Sequence, residues 1–396
     1  MNKPITQKIL WICYLGTFVI FSIIFLLQFP EKSVSGTVAY RLISFYIAIP
    51  LTAVVIGSIL GLYKDVKNAY VKWGKWLYPV FTGVLSFLIS RTNVVYFLAP
   101  FIIAFIGIGI GVILKVLINK MSVKAKSKLK TLGRMLSIAA VVIVLVHVIH
   151  ALTLDRIIEY KELSFYSPNI PAQMNGYKIA FIADTHSISE KRLQGIVDEL
   201  NNRKPDLAVH GGDFSRNAAE MQRTVKIMSR INTTDGFFAV DGNHDEPAIL
   251  YPELEKHNIV PLANTGLYIR DNFFLAGVED PWDLAGGADV TGALAGSRDE
   301  DFILLISHNP DVAMQQNTVG ADLILSGHTH GGQLNFFGLW SLGLESRVIS
   351  QFGERFRSGW SESRDGTPVY VCRGIGEYYP RVFARPEVTL ITLVRE

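Results

Sequence analysis

At 396 residues the chain is long enough for two domains, and its composition is unlike that of an ordinary soluble protein: 49% of residues are hydrophobic and 18% charged. Nearly all of the apolar excess falls before residue 153, which excludes a single oversized soluble core and points to a membrane region ahead of a normal globular domain. The net charge of +3 comes mostly from lysines between the apolar runs, so it offers no basic face for nucleic acid.

Five apolar runs occupy the first region, at residues 9–27, 42–62, 76–90, 94–118 and 135–152. A hydrocarbon core needs about 20 helical residues and at least about 17, which four runs meet or nearly meet. The third is short and spans only by taking in residues 70–75 or by thinning the bilayer. The basic residues decide for spanning. Lys64, Lys67, Lys72 and Lys75 precede the third run, and Lys120, Lys124, Lys126, Lys128, Lys130 and Arg134 precede the fifth. Both groups stay in the cytoplasm only if the third run crosses, giving about five spans, an internal N-terminus and a second domain on the outer side. The first run has no small-x-small cleavage site after it and reads as an anchor rather than a signal peptide. Gly107, Gly109 and Gly111 lie inside an apolar run and read as helix-packing positions, not a nucleotide loop. His147 and His150, near the outer end of the fifth run, read as interfacial or packed residues. Cys13 lies in an apolar run and Cys372 in an expected strand, so no disulfide is expected.

Beyond residue 160 the pattern changes to short apolar strands alternating with helices, at 179–183, 206–210, 237–240, 302–306 and 323–325, with a helix at 190–200. This predicts a layered α/β domain with ligands gathered at strand ends. Each strand ends in a polar cluster. In order these are Asp184-Thr185-His186, Gly212-Asp213, Gly242-Asn243-His244-Asp245, Ser307-His308 and Gly327-His328-Thr329-His330. No single cluster is specific; the ordered set is. Hydrolysing a phosphate ester at neutral pH needs a nucleophilic hydroxide and neutralised phosphoryl charge, which two divalent ions about 3.5–4 Å apart provide. A shared carboxylate, neutral imidazoles and an amide oxygen are the donors such a pair takes, and glycines permit the tight turns that bring them close.

These blocks resemble the calcineurin-like metallophosphoesterase superfamily, over residues 160 to 396. The Gly331-Gly332-Gln333, Arg373-Gly374-Ile375-Gly376 and Arg385-Pro386-Glu387 stretches resemble its membrane-associated bacterial branch and larger transmembrane proteins that carry the domain. The resemblance implies a four-layer α-β-β-α sandwich at 160–396, here preceded by an all-α transmembrane bundle at 1–153. It implies a first metal on Asp184, His186, Asp213 and His330, with Asp213 bridging to a second on Asn243, His308 and His328. His244 would meet the phosphate and protonate the leaving oxygen. Asp245 has two readings: orienting His244 or starting the next helix. The first block departs from the family pattern, with Ile188 where glycine usually stands, which affects access to the site more than metal binding.

The expected activity is hydrolysis of a phosphomonoester or phosphodiester by in-line attack of a hydroxide bridging two divalent metals (Mn, Fe or Zn). Only about ten residues separate the fifth run from the domain, a reach of roughly 35 Å, so the site stays near the bilayer. The expected partners are therefore membrane lipids and a phosphoester substrate of the lipid, lipid-linked or cell-envelope kind. The expected location is the plasma membrane, with the catalytic domain outside. Two rivals are a metal-binding membrane sensor with little turnover and a transporter with an accessory hydrolase. The complete ligand set disfavours the first, and the scarcity of charge within the apolar runs disfavours the second. His210 and His257 read as structural or surface residues, and Arg216 as a solvated loop arginine or a phosphate contact. The sequence carries no signal for an oligomeric state.

Overall fold

The computed structural model describes residues 121–396, apart from 187, 216, 282–286, 319, 342–343, 345–348, 377–380 and some side chains of the first helix. The first four apolar runs, the lysines at 64–75, Gly107, Gly109, Gly111, Cys13 and Arg216 lie outside the described residues. The fifth run is helical. It forms the second half of α1, Val123–Leu152, whose first half carries the basic residues 124–134. Met135, Ile138, Val142, Val146 and Ile149 are exposed on it. Among the described residues no helix is long and apolar enough to cross a membrane. The chain divides into two units between Ile149 and His150, and the second, His150–Glu396, contains all the strands and polar clusters read from the sequence.

In chain order this unit contains β1 (Glu159–Ser167), β2 (Lys178–Ile182), α2 (Glu190–Arg203), β3 (Leu207–Gly211), α3 (Ala218–Met228) and β4 (Phe237–Val240). There follow α4 (Pro247–Lys256), β5 (Ile259–Pro261), β6 (Thr265–Arg270), β7 (Phe273–Val278), α5 (Val290–Leu294), β8 (Phe302–Ser307) and α6 (Val312–Gln315). The chain ends with β9 (Leu323–Ser326), β10 (Asn335–Phe336), β11 (Trp340–Ser341), β12 (Gly359–Glu362), β13 (Pro368–Val371) and β14 (Glu387–Arg395). The expected strands and helix are all present within a few residues of their predicted bounds.

Two six-stranded sheets form, in the orders β1-β14-β2-β3-β4-β5 and β12-β13-β9-β8-β7-β6. β2, β3, β4 and β5 run parallel, as do β7, β8, β9 and β13. Such strands are buried on both faces, which is why they read as unbroken apolar runs. Alternate side chains divide between two jobs. Ile179, Phe181, Val209 and Phe238 face Phe273, Leu275, Phe302, Leu304 and Leu325 of the other sheet in one shared core. The smaller Ala180, Ala208 and Ala239 face outward and let α2, α3 and α4 pack close through Leu193, Ile196, Val225 and Leu250. On the opposite outer face Phe274, Ile303 and Leu305 pack against Val290 of α5 and Val312 of α6. Each fully buried Leu, Ile or Phe in these layers contributes about 1.5–3 kcal/mol. The result is helices on each outer side of two facing sheets, with the carboxyl ends of β2, β3, β4, β8 and β9 left to carry the polar turns.

Candidate metal centre

Every polar cluster read from the sequence lies just past one of those five strand ends. The turns are tight. Asp184, His186, Asp213, His328 and His330 all adopt left-handed backbone, with φ of 52°, 41°, 60°, 70° and 50°. Non-glycine residues held there cost about 1–3 kcal/mol each, and such strain collects at functional sites. The surrounding chain holds the strain in place. Asp184 N–H donates to the Gly212 carbonyl at 2.9 Å and His186 N–H to the Asp213 carbonyl at 3.1 Å. Behind them, Gly376 N–H donates to the Asp184 carbonyl at 2.7 Å. Gly374 has φ +66°, and a Cβ on it would meet Asp184 Cβ at 2.5 Å.

The seven expected ligands converge as two groups around one carboxylate. In the first, His186 Nε2 and His330 Nε2 lie 3.2 Å apart. Asp184 Oδ1 is 3.8 Å from the former and 3.7 Å from the latter. Asp213 Oδ2 is 3.3 Å from His186 Nε2. The same Asp213 oxygen is 3.4 Å from His308 Nε2, in the second group. There His328 Nδ1 is 3.2 Å from His308 Nε2, and Asn243 Oδ1 lies 2.9 Å from the first and 3.3 Å from the second. Asp184, Asp213, His186 and His308 are fully buried.

The hydrogen bonds behind the rings fix what these atoms are. His308 Nδ1–H donates to the Gly211 carbonyl at 2.6 Å, and His328 Nε2–H donates to the Ile349 carbonyl at 2.9 Å. In the neutral rings, His308 Nε2 and His328 Nδ1 are then lone pairs. Together with Asn243 Oδ1 and Asp213 Oδ2 they make four acceptors facing one point, which only a cation or a proton satisfies. The residues present therefore fit divalent metal, and Asp184, His186 and His330, or Asp184, Asp213 and His308, bring ligand atoms within 4.8 Å of one another.

The electrostatics agree. Burial, with the His308 charge adding to it, pushes His328 down to about 4. Burial first, then His186 and Arg381, holds His330 well below the usual histidine range. Both are neutral at pH 7, as ligands must be. Burial also pushes Asp184 up to about 7; His308 opposes this and the Asp213 charge reinforces it. Burial lowers His308, but Asp213 and Asp184 outweigh it and hold the ring well above its ordinary value. Without metal, protons occupy the position of positive charge.

His244 stands at the edge of this cluster. Its backbone N–H donates to Asp213 Oδ1 at 2.8 Å, and its half-buried ring lies 5.6 Å from that of His186, centroid to centroid. Asp245 takes neither role read from the sequence. Its carboxylate accepts the N–H of Gly242 at 3.0 Å, of Asp213 and Phe214 at 2.8 Å each, and of Ser215 at 3.3 Å. The next helix is preceded by Glu246 as its cap residue. Asp245 is thus a backbone clamp on the Asp213 turn, formed by carboxylate-to-amide bonds.

Among the other histidines, His210 is buried, stacked on Phe214 at 3.7 Å, with Nε2 3.3 Å from Thr185 Oγ1. Thr185 donates in turn to the Phe214 carbonyl at 3.0 Å, bracing the same turn. His257 bonds Glu253 one helical turn back. His147 bonds the Ile143 carbonyl, and His150 packs on Phe383. Two residues that no sequence signal pointed to also approach the site. Buried Arg381 places Nη2 3.3 Å from His330 Nδ1, and buried Asp155 holds the segment that carries Arg381.

Comparisons with known proteins match the stretch of chain that carries these residues. The family described as calcineurin-like phosphoesterase matches residues 177–332. The metallophosphoesterase YkuE of Bacillus subtilis is 29% identical over 256 residues, covering 60% of this chain and 86% of that protein. The phosphodiesterase YaeI of Escherichia coli is 30% identical over 256 residues, 59% of this chain and 86% of that one. A transmembrane protein with metallophosphoesterase domain from Danio rerio is 28% identical over 250 residues, 57% of this chain and 54% of its own length. With the converging ligand atoms, these matches make the chain a member of the calcineurin-like phosphoesterase family and a metal-dependent phosphoester hydrolase.

Proposed function

We propose that this chain is a membrane-anchored phosphoesterase with a two-metal centre that acts on phosphate esters at the bilayer surface. One observation carries the metal reading: His308 Nε2, His328 Nδ1 and Asn243 Oδ1 lie within 3.3 Å of one another, and in the neutral rings the hydrogen bonds from the opposite nitrogens leave no donor among them. Asp184, His186 and His330 would hold the first ion and Asn243, His308 and His328 the second, with Asp213 shared. Histidine and carboxylate donors suit manganese, iron or zinc. Two such ions supply an activated water for in-line attack and neutralise charge on the phosphoryl oxygens. The chain's own residues do the rest. Asp213, whose Oδ1 takes the His244 N–H, sets the distance between the two groups and His244. The His244 ring is the titratable group beside the cluster and protonates the leaving oxygen. Asp245, holding the Asp213 main chain, keeps that spacing fixed.

The membrane assignment takes residues 1–153 as a bundle of about five spans and 160–396 as the catalytic domain on the outer face of the plasma membrane. Three observations support it: the apolar runs, the exposed Met135, Ile138, Val142, Val146 and Ile149 of α1, and the transmembrane description of the Danio rerio relative. α1 ends at Leu152 and β1 starts at Glu159, so the catalytic sheet begins close behind the helix. Near that helix end Phe336, Phe337 and Leu339 are exposed, and Phe337 contacts Phe383, which stacks on His150. An exposed apolar rim of this kind favours a lipid phosphate or lipid-linked phosphoester as substrate.

The test is metal content together with hydrolysis of generic monoesters, diesters and a lipid phosphate by the full chain, His244→Ala and Asp213→Ala. The reading requires about two ions per wild-type chain, turnover abolished in both variants, and metal retained in His244→Ala. Metal binding without turnover of any ester, even with lipid present, would move the chain to a membrane sensor.

A further inference from the structure

The last turn of α1 is bonded into the metal scaffold through one carboxylate. Asp155, in the short turn Leu154–Arg156 after the helix, is fully buried. Its Oδ2 accepts the Phe383 N–H at 2.8 Å and lies 2.7 Å from His150 Nδ1; its Oδ1 accepts the Ala384 N–H at 3.0 Å. The ring of His150 stacks on Phe383 with centroids 3.9 Å apart. Arg385 adds bonds to the Ile157 and Ile158 carbonyls at 2.8 and 3.2 Å. The stretch 383–385 is therefore seated on the connector between α1 and β1.

The same stretch adjoins Arg381, whose side chain is fully buried. Its guanidinium donates to the carbonyls of Gly376 at 3.3 Å, Arg373 at 2.8 Å and Ala384 at 3.2 Å. Nη2 stands 3.3 Å from His330 Nδ1, but a guanidinium has no acceptor for the N–H of a ligating ring, so Arg381 serves to hold the turn rather than the ligand. The Ala384 carbonyl that holds the guanidinium belongs to the residue whose N–H Asp155 holds. Asn335 ties the other side, donating to the Gly331 carbonyl at 2.9 Å and the Phe383 carbonyl at 2.8 Å. The path from the helix end to a metal ligand thus runs from His150 and Asp155 through Phe383 and Asn335 to Gly331, the residue after His330.

We propose that Asp155 is a positioning residue for the first metal. By seating the 383–385 segment it holds, through Asn335, the Gly331 main chain next to His330, and it makes the turn after α1 part of the support of that ligand. The second group has a separate support: the Ile349 carbonyl behind His328 lies next to Ser350 and Gln351, and Gln351 N–H is accepted by Asp311 at 2.8 Å. Asp155→Asn keeps one acceptor oxygen but turns an NH2 group toward the second backbone amide, so one buried donor loses its acceptor and the segment loosens while the second group stays intact.

The proposal rests on the two-ion reading above. Its test is a cobalt titration of the metal-free full chain, followed by visible absorption and equilibrium dialysis. Asp155→Asn should weaken one of two equivalents by about 10–100-fold, the usual effect of losing a support behind a ligand, and leave the other unchanged. Asn335→Ala should do the same without touching the carboxylate clamp, which covers the case in which Asp155→Asn fails to fold. In a His330→Ala background Asp155→Asn should add no further loss. Asp322→Asn, which removes an acceptor of the Ile303 N–H at the far end of β8, should leave both equivalents unchanged. Unchanged affinities in Asn335→Ala, equal weakening of both equivalents in Asp155→Asn, or an added loss in the His330→Ala background would overturn the proposal alone. Fewer than two equivalents in the wild type would overturn the two-ion reading and this proposal with it.

Discussion

The carboxylate of Asp245 accepts the backbone N–H of Asp213 at 2.8 Å, so the residue shared by both ligand groups is held through its main chain by the neighbouring block. Three more amides, of Gly242, Phe214 and Ser215, depend on the same carboxylate. A buried donor stripped of its acceptor costs about 1–3 kcal/mol. Asp245→Ala should therefore destabilise the metal-free catalytic domain by at least about 2 kcal/mol and weaken both metal equivalents, because Asp213 serves both. Urea unfolding followed by near-ultraviolet circular dichroism reads the first effect. An unshifted midpoint would show that the clamp is idle.

Metal affinity should rise with pH. Asp184, pushed up to about 7, and His308, held above its ordinary value, both carry protons near neutrality in the metal-free site. Each must lose its proton before it coordinates, so binding releases protons and strengthens as pH passes through 7. His328, pushed down to about 4, is already neutral at these pH values, and His330 is held well below the usual histidine range by burial, so neither adds to the release. Manganese calorimetry at pH 6, 7 and 8 in buffers of different ionisation heat measures both quantities. Affinity that is flat over that range, with no proton released, would contradict the assignment.

The strands that carry the site were legible because they are buried on both faces. β2, β3, β4, β8 and β9 are unbroken apolar runs ending in Asp, Asn, His and Gly, and no other local reading fits them. β1 was not legible. It reads Glu-Tyr-Lys-Glu-Leu-Ser-Phe-Tyr-Ser with a half-exposed face, and it exists as a strand by pairing parallel to β14, more than 200 residues away. The ligands could be read because metal chemistry restricts residue type. Their supports could not. Asp245 acts on amides that exist only once the turn is formed, and Asp155 meets Phe383 across 228 residues. A carboxylate that bonds to backbone has no partner residue type to look for.

Gly374 should be irreplaceable. Its φ of +66° disfavours any side chain, and a Cβ would stand 2.5 Å from Asp184 Cβ and 2.8 Å from Asp184 Oδ2. Gly374→Ala must either strain the Arg373–Gly376 turn or push Asp184 out of place, at a cost of about 1–3 kcal/mol. We expect a lower melting temperature and selective weakening of the ion held by Asp184, read by the same cobalt titration. Full retention of both would mean that the turn yields without moving the ligand.

His244→Ala should separate proton transfer from metal binding. The ring does not belong to either ligand group, so metal content should hold while kcat falls about 10²–10⁴-fold on an alkyl phosphate, whose leaving oxygen needs a proton. On a nitrophenyl ester, where the leaving group departs as a stable anion, the loss should be much smaller. A steady-state comparison of the two substrates decides the point. Equal losses on both would assign the ring to binding phosphate rather than to protonating the leaving oxygen.

The β10–β11 hairpin should matter for lipid substrates alone. Phe336 pairs with Trp340 across it, Leu339 at its tip is 77% exposed, and Phe337 leans on Phe383 at 5.6 Å, beside the His150 end of α1. Aromatic and leucine side chains at such a position suit the headgroup boundary of a bilayer. Burying one leucine contributes about 1.5–3 kcal/mol, so Leu339→Asp, which also adds a charge, should lower turnover of phosphatidic acid in vesicles at least about tenfold. Turnover of a soluble nitrophenyl phosphate by the same variant should not change, because Leu339 is not among the ligand groups. A variant equally active on vesicles would remove the hairpin from substrate capture, and one impaired on both substrates would place it in the site's own architecture.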